Sequence, residues 1–333
     1  MIKFSKIISG KLFSRIFFIP ILVFGVWFLL YGKQVFTPKE EEREEIVSIP
    51  EDPLPSRAEI VMNALSKAYP ERISPTKIRD GDWAFFLNGE WFYYAEGRIL
   101  PEQHRDRVLE YNSLRFYDYY FGELPPWQEQ SSSWQRQGQA QRTWNTSERI
   151  GNRGAGRPNY FFDAVWNLSN RDEAWAQMKK VKFLGHTITI HNGILKELNF
   201  IEKIILKEAE TNPDVKKWLA SLGSIEAWNW RNIASSTNRS FHSYGIAIDI
   251  LPKSLGGLAT YWLWTSRQTS DWRNIPYSGR YHPPDEVIQA FESVGFVWGG
   301  KWAYYDTMHF EYRPEVFVLN NIPLADIRGK SEE

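Results

Sequence analysis

Residues 240–251 read SFHSYGIAIDIL, and their alternation decides what kind of fold must hold them. As a strand, residues 245–251 set Gly245, Ala247 and Asp249 on one face and Ile246, Ile248 and Ile250 on the other. The isoleucine face belongs in a core. The opposite face combines two small residues with a carboxylate, leaving room above a sheet that a purely structural strand would fill with bulk. His242 stands seven positions before Asp249. Further on, residues 298–314 read WGGKWAYYDTMHFEYRP and place His309 on a second strand, with Asp306 three positions earlier. On a straight strand those two side chains face opposite ways, so the spacing predicts a bend around Thr307 or an approach from a turn.

The chain has no cysteine, which excludes disulfides, thiolate metal sites and cysteine nucleophiles, so any metal must be held by histidine and carboxylate. Two histidines and one aspartate give a borderline cation such as Zn2+ three ligands and leave a fourth tetrahedral position for water. His242, Asp249 and His309 are therefore the candidate ligands of one zinc ion, and Asp306 is the candidate base for the water's proton. Arg231 is a candidate for steadying a substrate carboxylate or a polarised carbonyl. Arg239 reads as an exposed loop arginine, and Tyr244 as either a pocket or a packing residue. His104, His186, His191 and His282 have no partner at ligand spacing and read as satisfied core or surface histidines. Ser74, Pro75, Thr76 and Lys77 fit the Ser-x-x-Lys of serine peptidases, but the accompanying Lys-Thr-Gly is absent, as are Gly-x-Ser-x-Gly and His-Glu-x-x-His.

The combination of Ser-x-His, Gly, Ala and Asp with a late His resembles the zinc D-alanyl-D-alanine carboxypeptidases and their relatives, the L-alanyl-D-glutamate endopeptidases of cell-wall lysis (VanY-like cell-wall metallopeptidases). The resemblance covers roughly residues 180–320. It implies an α+β fold of the Hedgehog and DD-peptidase kind, a small antiparallel sheet flanked by helices. It also implies that His242, Asp249 and His309 bind zinc, that Asp306 is the catalytic base, and that Ser240 contacts substrate. The substrate class so implied is the peptidoglycan stem peptide, cut as a carboxypeptidase or an endopeptidase. The rival expectation is a catalytically inactive cell-wall binding or scaffolding protein that keeps the peptidase fold.

Outward from these motifs, the N-terminus carries an uncharged apolar run over residues 16–31, preceded by Lys3, Lys6, Lys11 and Arg15. That pattern predicts a single-pass anchor in the cytoplasmic membrane with its N-terminus inside and the body outside the cytoplasm, periplasmic or extracellular. A cleaved signal peptide is the competing reading, and it exports the body equally. The expected organisation is a basic end and transmembrane helix over 1–33, a charged and proline-rich linker over 34–56, an aromatic-rich region over 57–175 with a polar insert at 122–159, a zinc peptidase domain over 176–325, and a tail over 326–333. Asn88-Gly89 between two aromatic runs predicts a tight hairpin whose rings more readily fill a core than form a sugar platform. A strand over 184–191, a helix capped by Asn192, a helix after Pro213 and a helix over 285–294 complete the reading. Forty basic and forty acidic residues leave no net field to favour nucleic acid, so none is expected as a partner.

Overall fold

The computed structural model describes residues 55–111, 114, 116, 119–122, 124, 160–233, 239–302 and 304–327. The expected membrane anchor, the linker up to residue 54 and nearly all of the polar insert lie outside them. Among the described residues no helix is long and apolar enough to cross a membrane.

The aromatic-rich region opens with α1 (Arg57–Ala68), capped by the Ser56 hydroxyl accepting from the Glu59 N–H at 3.2 Å. Four antiparallel strands follow in sequential order: β1 (Lys77–Arg79), β2 (Asp82–Leu87), β3 (Glu90–Ala95) and β4 (Arg98–Pro101). Asn88 and Gly89 join β2 to β3 with positive φ at both positions, the two-residue turn their chemistry favours. Phe85, Phe92 and Tyr93 are fully buried and Trp83 and Tyr94 pack against the core half-buried, so most of the hairpin's rings serve the core as expected. Phe86 is 40% exposed and packs on Trp91 at 5.4 Å. Ser74 binds the Phe86 N–H through its hydroxyl, a structural use of the one serine considered as a nucleophile.

Two short helices, α2 (Tyr160–Val165) and α3 (Arg171–Gln177), lead to the hairpin of β5 (Met178–Phe183) and β6 (His186–His191). The strand expected from residue 184 starts two residues later because Leu184 and Gly185, both at positive φ, form the turn. α4 (Leu195–Thr211) buries Leu198, Ile201 and Ile205 on one face, with Ile194 buried just before it. Its entry is not capped by Asn192. The His191 ring accepts from the Gly193 N–H instead, at 2.9 Å. α5 (Pro213–Ser221) begins with Pro213 in its first turn and the Asn212 side chain as its cap.

The second four-stranded sheet has the order β7 (Leu222–Glu226), β8 (Ala247–Pro252), β10 (His309–Tyr312) and β9 (Phe296–Trp298), all neighbours antiparallel. The small helix α6 (Trp262–Ser266) and α7 (Asp285–Glu292) lie between β8 and β9, and α8 (Pro314–Leu319) follows β10. α7 is the helix expected over 285–294, and Gly295 at φ 101° ends its turn. Ile246, Ile248 and Ile250 enter a hydrophobic core that also holds Leu65, Phe85, Phe161, Ile201, Phe291 and Phe310. Residues from both sides of position 175 thus build one core, and α1 packs directly on α8.

Candidate metal centre

β8 and β10 are paired so that His309 lies opposite Asp249, which brings both side chains to the same point of the sheet. His242 arrives from the 3-10 turn Phe241–Tyr244 immediately before β8. Gly245 closes that turn at φ 66°, a left-handed conformation that glycine adopts without strain. A Cβ there would meet the Met178 sulfur at 2.5 Å and the His191 nitrogen at 2.9 Å, so the glycine also lets the turn rest on the β5–β6 hairpin. Gly245 was expected on the strand face. It is the end of a turn, and β8 begins at Ala247 because the left-handed residue breaks the extended backbone.

The inward-facing atoms are His242 Nε2, His309 Nδ1 and Asp249 Oδ1. His309 Nδ1 lies 2.8 Å from Asp249 Oδ1 and 3.2 Å from His242 Nε2, and His242 Nε2 is 3.2 Å from Asp249 Oδ1. The outer nitrogens fix both tautomers. His242 Nδ1 donates to the Ala227 carbonyl at 2.5 Å, and His309 Nε2 donates to the Glu311 carboxylate at 3.0 Å. Both inner nitrogens therefore present lone pairs toward a carboxylate oxygen. Three acceptors at this separation repel unless a proton or a cation lies among them.

The electrostatics express the same demand. Burial alone would raise Asp249, but a proton carried on the inner nitrogens of His242 and His309 and hydrogen-bonded to the carboxylate outweighs it and holds the carboxyl well below the usual range. Burial would lower His309, yet Asp249 and Glu311 together lift it far above an ordinary histidine. Glu311 is held by Arg313 at 3.3 Å, and Arg313 by Glu315 at 2.5 Å. Formally, Asp249, Glu311 and Glu315 carry three negative charges against one on Arg313, and a dication at the triad neutralises the row. Imidazole, imidazole and carboxylate, each histidine oriented through its second nitrogen, form a donor set that fits a zinc-type ion.

Asp306 lies in the bend that its spacing from His309 required: the His309 N–H donates to the Asp306 carbonyl at 3.1 Å. Further backbone bonds, Asp306 N–H to the Gly299 carbonyl at 3.0 Å and Thr307 N–H to the Thr260 carbonyl at 2.8 Å, pin the bend. Its Oδ1 is buried without a hydrogen-bond partner among the described residues. Burial pushes the carboxyl up to about 7, against the opposing influence of His309.

A cleft of about 320 Å³ opens beside the triad, lined by Thr189, Trp228, Asn229 and Arg231 together with His242 and Asp249. Arg231 is exposed at its rim, and its backbone is clasped by Ser243, whose hydroxyl accepts from the Arg231 N–H at 2.8 Å. Ser240 is buried and accepts from the His242 N–H at 3.4 Å, so its visible contact caps the ligand-bearing turn. Arg239 is not the exposed loop residue expected: it pairs with Asp163 of α2 at 2.6 Å, and Tyr244 donates to the same carboxylate at 2.8 Å. Of the four histidines read as satisfied, His191 donates Nε2–H to the Trp166 carbonyl at 2.9 Å, and His282 sits against Asp285 at 3.7 Å.

Sequence reasoning missed Glu311 and Ser243. For Glu311 a signal existed: an acid two positions from a ligand histidine on a strand shares its face. For Ser243 there was none, because its partners are main-chain atoms 12 and 14 positions away.

Residues 234–312 match the sequence family described as D-alanyl-D-alanine carboxypeptidase, an interval that includes His242, Asp249, Asp306 and His309. Residues 61–116 match a domain of unknown function. No curated protein and no solved structure matches the chain.

Proposed function

We propose that this chain is a zinc metallopeptidase that hydrolyses the stem peptides of peptidoglycan, held on the outer side of the cytoplasmic membrane by the apolar run at residues 16–31. The observation that carries the reading is the convergence of His242 Nε2, Asp249 Oδ1 and His309 Nδ1 beside an open cleft, within an interval matching a peptidase family. His242, Asp249 and His309 would hold the ion. When bound, zinc supplies Lewis-acid polarisation of a peptide carbonyl and acidifies water.

The chain's own groups do the rest. Asp306, raised by burial and without a partner for Oδ1 among the described residues, takes the proton of the attacking water and returns it to the leaving amine. Arg231, at the cleft rim, binds a carboxylate of the substrate and orients the peptide. Glu311 and the Ala227 carbonyl keep the lone pairs of both ligand histidines aimed inward.

The test is digestion of purified muropeptides, followed by mass spectrometry, with wild type and Asp306→Ala. Wild type should cleave, and the variant should lose roughly 10²–10⁴-fold in kcat while still binding Zn2+. Release of a terminal D-alanine marks a carboxypeptidase, and a split beside D-glutamate an endopeptidase. Zn2+ binding without any cleavage by the wild type would leave the non-hydrolytic cell-wall binding protein as the answer.

A further inference from the structure

The family match begins at residue 234, yet a row of buried polar contacts leads from the metal centre back to α1, the first helix among the described residues. His309 Nε2 donates to Glu311 Oε2 at 3.0 Å. Arg313 Nη1 donates to Glu311 Oε1 at 3.3 Å, and Arg313 Nε donates to Glu315 Oε1 at 2.5 Å. The Tyr69 hydroxyl then donates to Glu315 Oε2 at 2.7 Å, across 246 positions of sequence. Every member is inside: Tyr69 is 4% exposed, Glu311 3%, Arg313 2% and Glu315 0%.

The row is laid out by the fold. Glu311 and Arg313 share the face of β10 and its continuation that also carries His309, and Glu315 stands in the first turn of α8, which packs on α1. Tyr69 caps the C-terminus of α1 through its backbone and is wedged edge-on between Phe161 at 6.2 Å and Trp166 at 5.9 Å. Arg313 lies over Phe241, in the turn bearing His242, at 4.9 Å and over Phe162 of α2 at 5.1 Å. A single guanidinium is thus shared between two buried carboxylates. Its share for Glu311 depends on how well Glu315 is satisfied elsewhere, and the Tyr69 O–H provides that second partner.

Resting on the zinc reading above, we infer that Tyr69 is a positioning residue for the metal centre: by binding Glu315 it lessens that carboxylate's pull on Arg313, which holds Glu311, which in turn holds the ring of His309. The aromatic-rich N-terminal region then contributes to the site itself. Without the hydroxyl, Glu315 is left with a buried oxygen to satisfy and draws Arg313 toward itself, loosening Glu311 and with it the aim of His309 Nδ1.

The experiment uses the full chain purified in detergent, stripped of metal with a chelator and titrated with Zn2+ by competition. Tyr69→Phe should bind Zn2+ about tenfold more weakly, the lower end of what losing an outer partner of a ligand histidine costs. The visible bands of the Co2+-loaded form, which report ligand geometry, should shift in parallel. Glu315→Gln, which keeps a partner for Tyr69 but removes the charge that competes with Glu311 for Arg313, should bind Zn2+ at least as tightly as wild type, and it serves if Tyr69→Phe fails to fold. A purely structural role would lower the thermal midpoint of the apo-protein and leave affinity and bands alone. Wild-type affinity in folded Tyr69→Phe, or weakened affinity in folded Glu315→Gln, overturns the inference. A wild type that takes up no Zn2+ overturns the functional reading on which it rests.

Discussion

At the scale of single residues, His191 shows how a histidine outside the metal centre makes the protein sensitive to acid. Its Nε2 donates to the Trp166 carbonyl and its Nδ1 accepts from the Gly193 N–H, so the neutral ring is fully used and a second proton must break the latter bond. Burial lowers its pKa from 6.5 to about 4. A depressed value means that the unfolded chain binds the proton first. The stability from this group is complete above pH 6.5 and is lost as pH falls toward 4, to the extent of about 3 kcal/mol. Urea unfolding between those limits should show a slope that becomes shallower by one proton in His191→Asn; equal slopes would remove His191 from the acid response. Gly245 gives a second residue-level prediction. Alanine there must hold φ 66° and overlap the Met178 sulfur and the His191 nitrogen, so Gly245→Ala should lose about 2–4 kcal/mol in denaturant unfolding.

At the scale of elements, the connection between β9 and β10 sets the distance between Asp306 and the triad of His242, Asp249 and His309, the proposed base and ligands. Gly299 accepts the Asp306 N–H through its carbonyl, and a Cβ on Gly299 would come within 2.5 Å of the Asp306 carbonyl oxygen. Gly299→Ala should displace the bend and lower kcat by about 10²-fold, because a misplacement near 1 Å is enough for that. Zn2+ affinity should fall far less than kcat, since the candidate ligands stand on β8, β10 and the 3-10 turn and the bend reaches them through the His309 N–H bond to the Asp306 carbonyl. A matched loss of metal would show that the bend also supports His309. The bend was legible in the sequence because strand geometry forbids Asp306 and His309 to share a face at a spacing of three. The β2–β3 hairpin, α5 and α7 were legible for similarly local reasons: Asn-Gly, an Asn-Pro start, and apolar residues at helical spacing closed by glycine. The cap of α4 was not. Asn192 has the right chemistry, but His191 is fixed against Trp166 and already points its free nitrogen at Gly193.

At the scale of the whole molecule, the region before residue 175 and the strands that hold the metal centre share one core. Tyr69 pairs with Glu315, Asp163 with Arg239 and Tyr244, and α1 with α8. Residues 176–325 expressed alone should therefore show no cooperative thermal transition, whereas residues 55–327 should; a sharp melt of the shorter piece, with Zn2+ uptake, would make the two halves separable. The sequence by itself singled out the side chains that converge, His242, Asp249 and His309, together with the bend before His309 and the side of β8 that faces the cleft, because strand alternation and donor chemistry act between near neighbours. Only the tertiary structure decided which outer groups aim those ligands: the Ala227 carbonyl, Glu311, and the row through Arg313 and Glu315 to Tyr69. Such contacts depend on how helices and sheets pack across hundreds of residues, and no local period carries that information.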